Sequence, residues 1–244
     1  MTQTTTHLSL YVTADDQAMA AQAAKLIVDE YKQAVAERGV FTIALSGGKT
    51  PVPLFRLLAS PQWKDAMDWS KTEVYWVDER CVRPESEESN YRLVRQELLN
   101  KVEATRYYRM RGEDLPEKAA SDYEEMLLQH FSLQPGDIPR FDCVILGVGT
   151  DGHTASLFPG DPAVKETRRL VMDAYLHNGP ARLTLTLPVL NNARCCIFLA
   201  SGRAKNDILS TALNLMAAPL LPAQMVRPRD GKLCWIIDSN AYQG

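Results

Sequence analysis

Three short stretches of the chain carry residue types and spacings suited to chemistry on a small polar molecule. In Gly147-Val148-Gly149-Thr150-Asp151-Gly152-His153, the glycines free the backbone and Asp151 sits two residues before His153. A carboxylate that close can orient an imidazole, whose ordinary pKa of about 6.5 suits a general base at neutral pH. A lone histidine is more often structural, but this one stands beside an acid in a glycine loop that follows an apolar run, which favours a functional role. The second stretch, Leu45-Ser46-Gly47-Gly48-Lys49-Thr50-Pro51, ends an apolar run and opens a helix with proline in its first turn. Its glycines let the backbone approach an anion, the helix start attracts one, and Ser46, Lys49 and Thr50 add donors. A plain tight turn fits the same residues. The third, Trp76-Val77-Asp78-Glu79-Arg80, sets three charges after an apolar run. It fits either a carboxylate and guanidinium fixed against a polar substrate or a surface turn with a salt bridge. Asn90 and Tyr91, opening the next helix, reach toward the same mouth. Arg182 and Lys205 stand at element ends, where helix caps or solvent also suit them.

These loops need a scaffold that brings strand ends together. Apolar runs at 41–45, 74–77, 143–146, 183–187, 195–200 and 235–237 read as buried strands, with a short alternating strand at 8–12. Helical patterns alternate with them at 51–59, 90–99, 115–130 and 203–216. A further helix runs from a capping box of Thr13 and Asp16 toward Arg38, with Gly39 ending it and Ala20, Ala24, Ile27, Tyr31 and Val35 as its apolar stripe. Strand and helix in alternation predict an α/β fold, three-layer and Rossmann-like, with a mainly parallel sheet and helices on both faces. Ligands in such folds bind at the carboxyl ends of the strands, which is where the three stretches fall. Without repeats or linker-like segments, residues 1–244 read as a single domain. Residues 159–180 are the least patterned and read as a mobile loop over the site.

Composition narrows the function further. The 244 residues hold 27 Lys+Arg against 30 Asp+Glu, a formal charge of −3, with 45% hydrophobic residues. Near-balanced charge without basic runs argues against nucleic acid and anionic membrane partners, while small anions remain open. The apolar runs fall short of the roughly 20 residues of a membrane span, and no signal peptide is recognisable, so the cytoplasm is expected. The five cysteines, Cys81, Cys143, Cys195, Cys196 and Cys234, form no C-x-x-C pair and read as core packing. Zinc-protease, nucleophile-elbow, Walker and dinucleotide patterns are all missing, so neither metal nor cofactor is expected. His7, His130 and His177 have no partner pattern and read as surface or core residues.

Six ordered motifs together resemble the 6-phosphogluconolactonase family, within the wider group that includes glucosamine-6-phosphate deaminase. They are LSGGKTP at 45–51, WVDER at 76–80, SNY at 89–91, FDCVILGVGTDGHTASLFPG at 141–160, RLTLTLPVLNNA at 182–193 and GRAK at 202–205. The resemblance implies cofactor-free hydrolysis of 6-phospho-D-glucono-1,5-lactone to 6-phosphogluconate in the oxidative pentose phosphate pathway. By the same resemblance, His153 deprotonates the attacking water and later protonates the departing ring oxygen, with Asp151 orienting it. The phosphate site maps onto Ser46, Gly47 and Gly48, with Arg182 and Lys205 as its cations. Arg80 and Asn90 contact the sugar or the phosphate, and Asp78 holds hydroxyls or structure. Backbone N–H groups of the 147–152 loop are the candidate oxyanion donors.

The chain departs from the family pattern at Lys49, where many relatives have a small polar residue, and at 175–180, which lacks a Lys-Pro-Pro-like run. One rival is an amino-sugar-phosphate deaminase or isomerase, which resembles DGHIAFNEP where this chain has DGHTASLFP. Another is a sugar-phosphate sensor of related fold, which carries a DNA-binding segment for which there is no room before Leu8 and has no need of the Asp151/His153 pair. The expected partner is therefore a small-molecule sugar-phosphate lactone, taken by a monomer or small homo-oligomer.

Overall fold

The computed structural model describes residues 6–175, 179–214 and 220–242. Seven strands form one parallel sheet. In chain order these are β1 (His7–Thr13), β2 (Phe41–Leu45), β3 (Thr72–Trp76), β5 (Tyr107–Tyr108), β6 (Cys143–Gly147), β9 (Cys195–Ala200) and β10 (Lys232–Asp238), arranged β1-β10-β9-β6-β2-β3-β5. A second, antiparallel sheet of β4 (Asp78–Arg80), β8 (Arg182–Leu185) and β7 (Val171–Ala174) runs in the order β4-β8-β7. Central strands covered on both sides are mostly apolar, and β2 and β9 are buried at every residue. At the edge, Leu8, Leu10 and Val12 of β1 stay about half exposed.

Side-chain alternation places helices on both faces. Phe41, Ile43 and Leu45 share one face with Val74 and Trp76, while Ala44 and Tyr75 share the other. Tyr31 of α1 (Asp16–Arg38) meets Phe41 edge-on at 5.8 Å, which puts α1 on the first face. Alongside it lie α2 (Val52–Leu58) and α3 (Asn90–Val94), whose Tyr91 meets Trp76 at 5.6 Å. Tyr75 meets Phe131, at the end of α4 (Pro116–His130), on the opposite face. The remaining helices are α5 (Leu187–Leu190), α6 (Asn206–Leu213) and α7 (Pro222–Met225).

Several expectations change. The N-cap of α1 is Asp15, whose side chain accepts from the Ala18 N–H at 2.8 Å, and not Thr13, which ends β1 and gives its hydroxyl to Ile237 O. The 183–187 run is not a strand of the parallel sheet. It pairs antiparallel with β4 and β7, and the chain turns into α5 at Leu187. Residues 159–180 are not a bare loop, since they contain a 3₁₀ turn (Pro162–Lys165) and β7. The helix from Asn90 widens into a π-turn over Arg95–Leu99, and α6 follows a 3₁₀ turn (Arg203–Lys205) and ends at Leu213. Met216 and His177 lie outside the described residues. The cysteines are free thiols, four of them buried and Cys81 half-buried, and burial pushes the Cys143 and Cys196 thiols up so that they stay protonated.

At the amino ends of the strands one buried carboxylate ties α1 to the sheet. Asp142 accepts from Thr42 N at 2.8 Å, Thr42 Oγ1 at 2.9 Å and Arg38 Nη2 at 3.0 Å, and pairs with Arg194. Asp142→Ala strands all of these donors and is expected to lower unfolding free energy by about 3 kcal/mol, read as a lower urea midpoint at unchanged slope.

Candidate active site

The chain leaves β2 toward β3 and leaves β6 toward β9, so a crevice opens between the carboxyl ends of β2 and β6. It is a cleft of about 200 Å³. Ser46, Gly47, Gly48 and Thr50 form one wall, and Gly147, Val148, Gly149 and His153 form the facing wall. Asp78 and Arg80 of β4, Asn90 at the start of α3 and Lys205 before α6 complete it. Sequence-predicted residues from five separate segments thus converge. Asp151 reaches the cleft through His153. Arg182 stands directly opposite Arg80 in the β4–β8 pair. Lys49 is exposed and does not line the cleft.

The histidine loop is a closed turn. Gly149 N donates to His153 O at 2.8 Å and Gly152 N to Gly149 O at 3.1 Å. Asp151 Oδ1 accepts from the His153 backbone N–H at 3.1 Å and lies 2.6 Å from His153 Nδ1. That bond assigns the ring proton to Nδ1 and leaves Nε2 as the basic nitrogen. The pair fits only because residue 149 has no side chain. A Cβ there would lie 2.1 Å from His153 Nδ1 and 2.5 Å from Asp151 Oδ1. Partial burial works to raise the Asp151 pKa, but the backbone and side-chain hydrogen bonds from His153 outweigh it and hold it below the usual carboxylate range. The Phe158 ring lies 4.8 Å from the imidazole, centroid to centroid.

The opposite wall mixes acceptors with cations. Asp78 Oδ2 accepts from Ser156 Oγ at 2.8 Å, and its backbone oxygen accepts from Asn90 Nδ2 at 2.9 Å. Burial lowers the Arg182 pKa, and the like charge of Arg80 adds to this. Burial also lowers that of Lys205, against the pull of Asp151. Among the described residues, three buried polar atoms at or beside the cleft have no partner: Ser46 Oγ, Asn90 Oδ1 and Arg182 Nη1. Unmatched buried donors and acceptors cost free energy, so groups left this way beside a cleft suit a polar ligand with an anionic part.

Sequence reasoning missed Ser156 and Glu79. Ser156 is a fully buried hydroxyl three residues beyond His153, and a polar residue inside the apolar stretch ASLF was the available signal. Glu79 lies between Asp78 and Arg80, and a strand reading of this triplet would have turned it away from them. Among the described residues, no cluster of three or more His, Cys, Asp or Glu is placed to hold a metal, and no helix is long and apolar enough to cross a membrane.

Comparison with known proteins matches this geometry to a family. A 6-phosphogluconolactonase of Synechocystis sp. is 40% identical over 213 residues, 86% of this chain and 86% of its own. One of Nostoc sp. is 36% identical over 231 residues, 93% of this chain and 94% of its own. The solved structure of a 6-phosphogluconolactonase from Trypanosoma brucei matches with a TM-score of 0.86 at 26% identity, over 98% of each chain. The family model for glucosamine-6-phosphate isomerases/6-phosphogluconolactonase covers residues 14–235. With that match running from just after β1 into β10, the chain belongs to the glucosamine-6-phosphate isomerase/6-phosphogluconolactonase family.

Proposed function

We propose that this chain hydrolyses 6-phospho-D-glucono-1,5-lactone to 6-phospho-D-gluconate, the lactone-opening step of the oxidative pentose phosphate pathway. The observation that carries the reading is the 2.6 Å bond between His153 Nδ1 and Asp151, which leaves Nε2 as a base on a residue that lines the cleft. Nε2 takes a proton from water as the water oxygen bonds to the lactone carbonyl carbon. The tetrahedral oxyanion then collapses, the bond from that carbon to the ring oxygen breaks, and the imidazolium returns the proton to the ring oxygen. A lactone is an activated ester, so a positioned base with donors for the oxyanion suffices, and no covalent enzyme intermediate is needed. The N–H groups of Gly149 and Gly152 are spent inside their own turn, which favours other donors of the cleft for the oxyanion.

The phosphate is placed at Ser46, Gly47 and Gly48, with Arg182 and Lys205 as counter-charges and Thr50 beside them. Arg80, Asn90 and Asp78 take the sugar end. Lys49, exposed outside the cleft, adds only long-range positive field. In this reading the whole chain acts as one domain around a single apolar cluster, in the cytoplasm, as a monomer or small homo-oligomer. Its partner is the small sugar-phosphate lactone, without nucleic acid, membrane, metal or cofactor.

The test is hydrolysis of freshly generated phosphorylated lactone above its spontaneous rate, beside unphosphorylated gluconolactone. Wild type is expected to prefer the phosphorylated substrate. Arg182→Gln is expected to raise KM for it by roughly 10- to 100-fold and to leave the unphosphorylated substrate unaffected. Equal kcat/KM for the two lactones in wild type, or no acceleration of either, would overturn the reading.

A further inference from the structure

Glu79 is 2% exposed and touches no part of the cleft surface, yet it is the most heavily hydrogen-bonded carboxylate near it. Oε1 accepts from Arg80 N and Asn90 N, both at 2.7 Å, and Oε2 accepts from Tyr91 N at 2.8 Å and Ser89 Oγ at 3.1 Å. We propose that Glu79 is a positioning residue for substrate binding, a carboxylate clamp that holds Arg80 and the first residues of α3 in register so that Asn90 and Arg80 face the substrate. This rests on the lactonase reading of the cleft.

The geometry assigns a task that only a carboxylate performs. Strand alternation sends Asp78 and Arg80 to the cleft and Glu79 away from it, toward the start of α3. There the free N–H groups of Asn90 and Tyr91 meet the two oxygens, while Ser89 caps the next, from Arg92, at 3.1 Å. Each Glu79 oxygen receives two donors, so no lone pair is left for a different arrangement. What the clamp fixes has little slack. The Asn90 amide is pinned by Asp78 on its nitrogen side, and a Cβ on Gly47 would fall 1.8 Å from its Oδ1. A shift of a few tenths of an ångström at the start of α3 therefore moves the one cleft-lining acceptor that Asn90 offers. Burial raises the Glu79 pKa against the opposing pull of the three N–H groups, so holding the charged form there has a free-energy cost.

Glu79→Gln keeps the size and replaces one doubly used acceptor with an N–H₂ donor that faces donors. The expected result is a KM for the phosphorylated lactone raised about tenfold at a kcat within about twofold of wild type, because His153 and Asp151 are untouched. A role in folding alone would instead lower the active fraction, and with it kcat, at unchanged KM. Ser89→Ala removes a single donor from Oε2 and serves if Glu79→Gln does not fold; a smaller rise in KM with the same split is expected. Calorimetric binding of 6-phosphogluconate provides a second measurement, expected to weaken in parallel with KM. An unchanged KM and an unchanged product Kd in the variant that folds overturn the clamp. If wild type fails to hydrolyse the lactone, the functional reading falls instead, and the clamp is judged on the product Kd alone; no binding by wild type overturns it too.

Discussion

Replacing His153 by alanine is expected to lower kcat/KM for the phosphorylated lactone by between about 10²- and 10⁴-fold, the range that a positioned general base supplies. Binding of 6-phosphogluconate is expected to persist, because the groups assigned to phosphate and hydroxyls lie on the facing loop, on β4 and β8 and at the starts of α3 and α6. Asp151 is held ionised through the neutral range, so it keeps the imidazole oriented there. The rate left in His153→Ala is expected to follow the spontaneous reaction. A stopped-flow assay that subtracts spontaneous opening reads the loss. Retention of more than about a tenth of wild-type kcat/KM would remove His153 from the chemistry.

The second large effect comes from a residue with no functional group. In Gly149→Ala the new methyl would lie 2.1 Å from His153 Nδ1, so the imidazole, the carboxylate or the turn itself must shift. The bond from Nδ1 to Asp151, which fixes the tautomer, is the contact in the way. Displacing a base by about an ångström costs roughly 10²-fold, and loss of the tautomer adds to that. Activity is thus expected to approach that of His153→Ala, with circular dichroism and product affinity close to wild type. The signature is a lost kcat in a protein that still contains its histidine and still binds product. If Gly149→Ala keeps full activity, the pairing of Asp151 with His153 is not what the reaction uses.

The parts of this site that were legible share a physical cause. Glycines, charges and a lone histidine placed directly after buried apolar runs conflict with the plain needs of a core, and in a parallel sheet those positions meet at one end. The loops at Ser46 and Asp151 could therefore be placed together before any coordinates. The small antiparallel sheet could not. Its strands are three and four residues long, β4 is a charged triplet that reads equally well as a turn, and β7 lies in a stretch rich in proline and charge. The pairing of β4 with β8 joins residues about a hundred apart in sequence, which local pattern does not report. Glu79 was lost with β4, since its role appears only once the triplet is known to alternate. Thr13 failed as a cap for a simpler reason, because an aspartate two residues later caps α1 instead.

The position of β1 carries a consequence for how the chain comes into being. Among the described residues its one sheet neighbour is β10, so the first described strand pairs with the last one described. A ribosome-bound chain can assemble β2, β3 and β6 while β1 still waits, its leucines at 8 and 10 without a template to add to. Closing so long a loop is entropically slow and comes after the more local contacts. The edge of the sheet thus acts as a late seal, set only once synthesis has delivered β10, and nascent chains stopped before residue 232 are left with a loose apolar strand for chaperones and proteases to find.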